Sequence, residues 1–179
     1  MQEPEQQEIL QALNAGRAAL GDALAGVDEV EAVRQPHSGG WSILGCVEHL
    51  AITEHYLVSR LIAGSLADRS HENRAIEATI QARALDRTRR IESPEQAWPT
   101  GRCGSLKQAL SFFDSVRADT VRFVKDFRYD PRFWLTDHPL TSRPVNCYEM
   151  LLMIALHPNR HARQIAEIRV ALDAVDRQD

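Results

Sequence analysis

The chain has few aromatic residues, few cysteines and no long apolar run. Only 6% of its 179 residues are aromatic, and its three cysteines are Cys46, Cys103 and Cys147. Three widely spaced cysteines without a CxxC pair exclude a disulfide framework and a cysteine zinc site. The longest apolar run, residues 150–156, is far too short to cross a membrane.

The chain also lacks a basic stripe and a basic N-terminal leader. Its lysines and arginines are scattered, and its formal net charge is −4. Proteins that bind nucleic acid usually concentrate positive charge on one face, so we expect neither a nucleic-acid partner nor a membrane partner. The N-terminus is acidic, unlike that of a secretory signal peptide. These features predict a cytoplasmic protein.

What the sequence does have is helical periodicity. Apolar residues recur at amphipathic-helix spacing in four segments, at residues 9–30, 42–64, 105–127 and 146–174. A short helix is expected within 71–90, and no β-strand is evident. Four such helices bury their apolar stripes as a bundle. The length fits one domain over 1–179, and the long connection at 67–104 permits a crossover between the second and third bundle helices.

Capping residues predict where three of these helices begin. Ser42 is a good N-cap, Ser105 opens a capping box that ends at Gln108, and Asn146 is followed by an acid three residues later. Trp41 precedes the second helix and is placed to pack against Cys46.

Two histidines replace apolar residues in the stripe of the fourth helix. Because His157 and His161 are four residues apart, their side chains point about 40° apart and lie about 6 Å apart along the axis. This geometry offers two imidazoles to one metal ion, and a metal would satisfy two buried polar groups. Exposed histidines near the end of the bundle are the alternative.

His49 lies at the edge of the apolar stripe of the second helix. A third imidazole from another helix would complete a three-histidine site, with coordination positions left for water or substrate. Taken alone, His49 is equally explained as a histidine at the edge of the core. Glu48 and Glu54 are candidate acceptors for a ligand imidazole, and Cys46 lies one turn before His49. Neither HExxH nor G-x-S-x-G occurs.

Two motifs carry a family resemblance. Gly40-Trp41-Ser42 followed by His49-Leu50, and His157-Pro-Asn-Arg-His161 followed by Gln164-Ile165, resemble the second- and fourth-helix motifs of the DinB/YfiT-like superfamily. The resemblance implies an all-α, four-helix bundle of up-down-down-up type, with its crossover between helices two and three. Pro158 departs from the family pattern, and a proline inside a helix removes one hydrogen bond and can kink it.

The resemblance further implies one divalent metal, nickel or zinc, on His49, His157 and His161, and assembly as a homodimer. It implies a metal-dependent enzyme that uses this site for hydrolysis of a small molecule or for transfer that depends on a low-molecular-weight thiol. A non-catalytic bundle that binds a metal or small ligand is the alternative. No catalytic side chain is identified, and the substrate stays open.

Other polar residues receive the ordinary interpretation. His37, His55, His71 and His138 are read as surface or loop residues. Arg160 and Arg163 flank the histidine pair, where surface salt bridges are the usual role of arginine, although either could meet an anionic substrate.

Overall fold

The structure of the protein, a computed structural model, describes residues 1–37, 39–88 and 91–176. Helix accounts for most of these ranges. The α-helices are α1 Glu3–Ala23, α2 Glu29–Val33, α3 Ile43–Ile62, α4 Arg74–Ala84, α5 Leu106–Asp126 and α6 Cys147–Asp176, with a 3₁₀ turn at Glu95–Ala97. No helix in the described ranges has both the length and the apolar composition needed to cross a membrane.

The four long helices form the predicted bundle. α1 packs against α6, α6 against α3, α3 against α5, and α5 against α1, so the four helices close a ring around the core. The connection between α3 and α5 contains α4, which packs on the outside of α6, and the 3₁₀ turn, which packs on α3. The prediction of an all-α, four-helix bundle with a long crossover is therefore confirmed.

The first helix is shorter than predicted. α1 ends at Ala23, and Gly26 then adopts a φ of 77°, a conformation that a helix cannot continue through. Asp28 caps the separate helix α2 by accepting a hydrogen bond from the Glu31 amide. Val30, predicted to lie on the apolar stripe, is 72% exposed. The prediction of one continuous helix to Val30 was wrong because Gly26 turns the chain before the stripe ends.

The three predicted N-caps are present. The Ser42 and Ser105 hydroxyl oxygens accept hydrogen bonds from the Gly45 and Gln108 amides, at 3.1 and 3.2 Å. The Asn146 side-chain oxygen accepts one from the Glu149 amide at 2.8 Å. Each cap satisfies a backbone donor in the first turn of a bundle helix.

A small antiparallel sheet, absent from the sequence prediction, joins the loops at one end of the bundle. β1 Ser65–Leu66 pairs with β2 Trp134–Thr136, and β2 pairs with β3 Val145–Asn146. In register, Leu135 lies opposite Ser65 on one side and Asn146 on the other. Strands of two or three residues are too short to show the alternation that identifies a strand in sequence.

A polar layer divides the core into two apolar halves. One half contains Leu13, Leu57 and Val124, and the other contains Leu20, Leu50 and Phe113. Between these levels each bundle helix contributes residues of a different kind, namely Gly16 on α1, Glu54 on α3, Arg117 and Thr120 on α5, and His157 and His161 on α6. The histidine pair therefore lies at mid-bundle, with a packed core on either side.

Candidate metal centre

The structure brings the three predicted ligands together. His49 on α3 and His157 and His161 on α6 each offer a ring nitrogen, and these three atoms lie within 4.8 Å of one another. The Nε2 atoms of His157 and His161 are 2.9 Å apart. Since zinc–nitrogen bonds are about 2.0–2.1 Å long, nitrogens that share one ion lie about 3 to 4 Å apart. The helix α6 continues through Pro158, so the proline does not separate the pair.

A backbone carbonyl orients His49. The carbonyl oxygen of Ala97, in the 3₁₀ turn, lies 2.5 Å from His49 Nδ1. A carbonyl can only accept, so Nδ1 carries the proton and Nε2 has the lone pair that a metal ligand requires. The Thr53 hydroxyl lies 3.2 Å from the same Nδ1. The Trp41 ring packs against the imidazole, with ring centroids 4.4 Å apart.

Glu48 holds the loop that supplies this carbonyl. Its Oε1 accepts hydrogen bonds from the amide and hydroxyl of Thr100, both at 2.9 Å, and from the Arg102 amide at 3.2 Å. Glu48 was a candidate partner for a ligand imidazole. Instead it accepts hydrogen bonds from the segment after Ala97 and so holds the Ala97 carbonyl, which in turn contacts His49. Sequence reasoning missed Ala97 because a backbone acceptor has no residue signature.

Glu54, the other carboxylate considered, forms a buried ion pair in the polar layer. Its Oε2 accepts from Arg117 Nη2 at 2.7 Å and its Oε1 from the Thr120 hydroxyl at 2.6 Å. Arg117 also donates to the Leu13 carbonyl of α1 at 3.0 Å. Burial raises the pKa of Glu54 and lowers that of Arg117, and their mutual attraction opposes both shifts. This network ties α1, α3 and α5 together beside the histidines.

The environment keeps the three imidazoles neutral. Burial lowers the pKa of His49 to about 4, with the Ala97 hydrogen bond opposing the shift. The pKa values of His157 and His161 lie well below the ordinary value, first because of burial and then because of neighbouring imidazoles and arginines. His161 Nδ1 is buried and has no hydrogen-bond partner among the described residues. Neutral imidazole is the form that binds metals.

A strap, residues 85–88 after α4, crosses α6 next to the site. Arg163 donates to the Leu85 carbonyl at 2.8 Å, and Arg160 donates to the Asp86 carbonyl. Arg87 pairs with Glu167 at 2.7 Å and donates to Gln164 at 3.2 Å. His49 and His161 are buried, at 1% and 6% exposure, whereas His157 is half-buried. His157 is therefore the least buried of the three residues.

The remaining candidates lie elsewhere. Cys46 is fully buried in the apolar core, and burial raises the pKa of its thiol to about 12. His37, His55 and His71 are exposed, as expected, while His138 is partly buried in the loop after β2. Within the described ranges, the three histidines are the group of potential ligands that meets the distance requirement for one ion.

Fold and site together define a class: a four-helix bundle whose second and fourth long helices offer three histidines to one point between them. The family model described as the DinB superfamily matches residues 8–165. The chain belongs to the DinB superfamily.

A solved structure has the same fold. YfiT from Bacillus subtilis, described as a probable metal-dependent hydrolase with an unusual four-helix bundle topology, superposes with a TM-score of 0.61. The two chains are 15% identical over 97% of this chain and 90% of YfiT. No curated protein matches the sequence.

Proposed function

We propose that this protein is a metal-dependent enzyme that holds one divalent transition metal, nickel or zinc, on His49, His157 and His161. The observation that carries the proposal is the convergence of three neutral imidazole nitrogens within 4.8 Å in the polar layer of the bundle. Nitrogen ligands suit both ions. The short separation between the Nε2 atoms of His157 and His161 also fits a ligand set better than a packed apolar core.

Three protein ligands favour a catalytic site over a structural one, because structural zinc sites are usually closed by four. When bound, the metal would act as a Lewis acid that promotes ionisation of water or of a small thiol. The protein's own groups prepare the site: the Ala97 carbonyl fixes the tautomer of His49, and the Trp41 ring packs against its imidazole.

Hydrolysis of a small-molecule substrate is the reaction we favour, and transfer from a low-molecular-weight thiol is the alternative. Cys46 is too deeply buried and too weakly acidic to serve as the thiol, so the transfer reaction would require a diffusible one. A bundle that binds its metal without catalysis is the competing function. Residence in the cytoplasm, a single domain over residues 1–179 and assembly into a homodimer stay predictions from the sequence.

Metal analysis tests the ligand set. Purified protein should bind close to one equivalent of zinc or nickel, and His161→Ala should lose it while keeping its helical circular dichroism, because the apolar core is untouched. His55→Ala, which alters an exposed histidine on α3, is the matched control. Unchanged metal affinity in His161→Ala would remove that residue from the ligand set.

Cobalt substitution separates an enzyme from a closed metal site. Adding a small thiol to the cobalt-loaded protein should produce a sulfur-to-metal charge-transfer band, because thiolate binds cobalt as a strong, soft donor. A spectrum that neither thiols, carboxylates nor azide can alter would mean that the coordination sphere is closed. The metal would then be structural, and the non-catalytic function would be the correct one.

A further inference from the structure

We propose that a surface cavity beside Trp41 is a second binding site of the protein, and that its ligand is a small organic cation, an ammonium group on a short apolar chain. The cavity has a volume of about 180 Å³ and is lined by the start of α3 and by the segment after the 3₁₀ turn. None of the three histidines lines it, so this ligand is distinct from the metal of the proposed function.

The size and the walls of the cavity suit a short apolar chain. Trp41, Leu44 and Pro99 supply apolar surface. Gln35 and Gly101, which also line the cavity, are exposed and leave it open to solvent. An apolar cavity of about 150 Å³ binds benzene, so this one has room for a ligand of about six non-hydrogen atoms.

Glu48 supplies the charge. Of the described residues that line the cavity, it alone carries a formal charge, and it is only 1% exposed. All the hydrogen bonds that it accepts, from Thr100 and from the Arg102 amide, end on Oε1, and no donor of a described residue reaches Oε2. Leaving a buried carboxylate oxygen without a donor costs free energy, and an ammonium group in the cavity would supply that donor.

Two further features favour a cation over an anion. The Trp41 ring attracts a cation that lies within about 6 Å of its centroid. Burial and then the charge of Glu48 raise the pKa of the Cys103 thiol in the cavity wall, with Arg102 opposing, so the field of the carboxylate outweighs that of the guanidinium there. The N-terminus of α3 contributes only about half a positive charge, which the full charge of Glu48 exceeds.

Cys103 provides a reporter inside the cavity. It is 8% exposed, whereas Cys46 and Cys147 are fully buried. A small neutral reagent such as methyl methanethiosulfonate should therefore label Cys103 first, and a ligand in the cavity should slow that labelling. Mass spectrometry of the peptides identifies the labelled residue.

The test compares three probes of similar size at constant pH and ionic strength: butylammonium, 1-butanol and butyrate. Protection of Cys103 and isothermal titration calorimetry each give a dissociation constant. Butylammonium should bind at least about tenfold more tightly than 1-butanol, because a hydrogen bond to a charged group adds to the apolar contact. Butyrate should not protect the thiol.

Glu48→Gln isolates the charge, because its amide oxygen can still accept from the Thr100 and Arg102 amides. This variant should weaken butylammonium binding at least about tenfold and leave 1-butanol binding within about twofold of wild type. Glu95→Gln, which alters an exposed glutamate of the same crossover outside the cavity wall, is the matched control and should behave as wild type.

Several results would overturn the proposal. Equal affinities for butylammonium and 1-butanol would make the cavity merely apolar, and protection by butyrate would assign it to an anion at the N-terminus of α3. Equal weakening in Glu48→Gln and Glu95→Gln would show that only the net charge of the protein matters. Butylammonium binding that disappears when a chelator removes the metal would place the amine on the metal centre instead. No calorimetric or labelling response to butylammonium in wild type would refute the site outright.

Discussion

At the scale of single residues, Gly16 sets the distance between α1 and the part of α6 that carries His157. A Cβ atom at this position of α1 would overlap the carbonyl oxygen of Ala155, and it would also meet the Pro158 ring at 3.5 Å. The missing side chain therefore lets α1 approach the backbone of the α6 turn that carries His157. This explains why a glycine interrupts an otherwise apolar stripe.

Gly16→Ala should accordingly destabilise the fold and weaken metal binding. Overpacking a tight contact costs about 1–3 kcal/mol, and relief requires movement of the turn before His157. Gly21→Ala is the control: its added Cβ meets only the flexible end of Arg17, at 3.3 Å, and alanine favours helix by about 1 kcal/mol. Urea unfolding and zinc titration of both variants measure the difference. A Gly16→Ala protein as stable as Gly21→Ala would disprove the close contact.

Acid should destabilise the metal-free protein. Burial lowers the pKa of His49 to about 4 in the folded chain, against 6.5 for an ordinary histidine. Between these values the unfolded chain binds the proton more tightly, so the free energy of unfolding falls as the pH falls through this window. The slope from His49 alone is at most about 1.4 kcal/mol per pH unit.

Urea unfolding of the protein freed of metal by a chelator, measured across this pH window, gives that slope. His49→Asn should flatten it in part, whereas His55→Ala should not, because His55 is exposed. A slope that His49→Asn leaves unaltered would show that burial of this imidazole does not contribute.

The meeting of the three histidines could be predicted from the sequence, and their hydrogen-bond partners could not. His157 and His161 stand at helical spacing in an apolar stripe, and His49 follows the Gly-Trp-Ser motif, so residue identity and periodicity carried the prediction. The Ala97 carbonyl and the buried pairing of Glu54 with Arg117 depend on which segments meet in three dimensions. No local pattern encodes such meetings.

At the scale of elements, the crossover both connects the bundle and completes the site. Its strap lies on α6, its 3₁₀ turn packs on α3, and the Ala97 carbonyl orients His49. The bundle helices were predictable because each is long and periodic. The break after Ala23 and the small sheet were not, since one glycine conformation and strands of two or three residues leave little trace in the pattern.

Glu48→Ala should weaken metal binding although Glu48 does not contact the metal site directly. Its loss frees Thr100 and Arg102 and loosens the Ala97 carbonyl, and losing the partner of a ligand histidine typically costs 10–100-fold in metal affinity. Because Glu48 acts one step further out, we expect a loss of up to about tenfold. Competition with a chromophoric zinc chelator measures it, and Glu95→Ala, an exposed glutamate in the same crossover, provides the control. Equal affinities in the two variants would rule out the role of Glu48.

At the scale of the whole molecule, the polar layer places the proposed metal ligands between two apolar halves of the core. The two apolar halves supply packing above and below, while the layer between them holds an ion pair and the histidines. Metal bound to the native state adds stability by mass action, about 2.7 kcal/mol when free metal is 100 times the dissociation constant.

This stabilisation should appear mainly in the unfolding rate. The ligands come from α3 and α6, far apart in sequence, so we expect the complete site to form late in folding, and interactions absent from the transition state slow unfolding without accelerating folding. Stopped-flow unfolding and refolding in urea, each with zinc and with a chelator, measure the unfolding rate and the folding rate. A faster folding rate with an unchanged unfolding rate would place site formation before the transition state instead.

The crossover separates His49 from His157 and His161 in the sequence. A cut at the exposed Leu85 leaves His49 on one fragment and His157 with His161 on the other, so neither fragment holds the proposed ligand set. A shared ion would then join two separate polypeptides, and their association would respond to the free metal concentration as well as to the buried apolar surface. Divided in this way, the protein becomes a split reporter whose reassembly reads out metal supply.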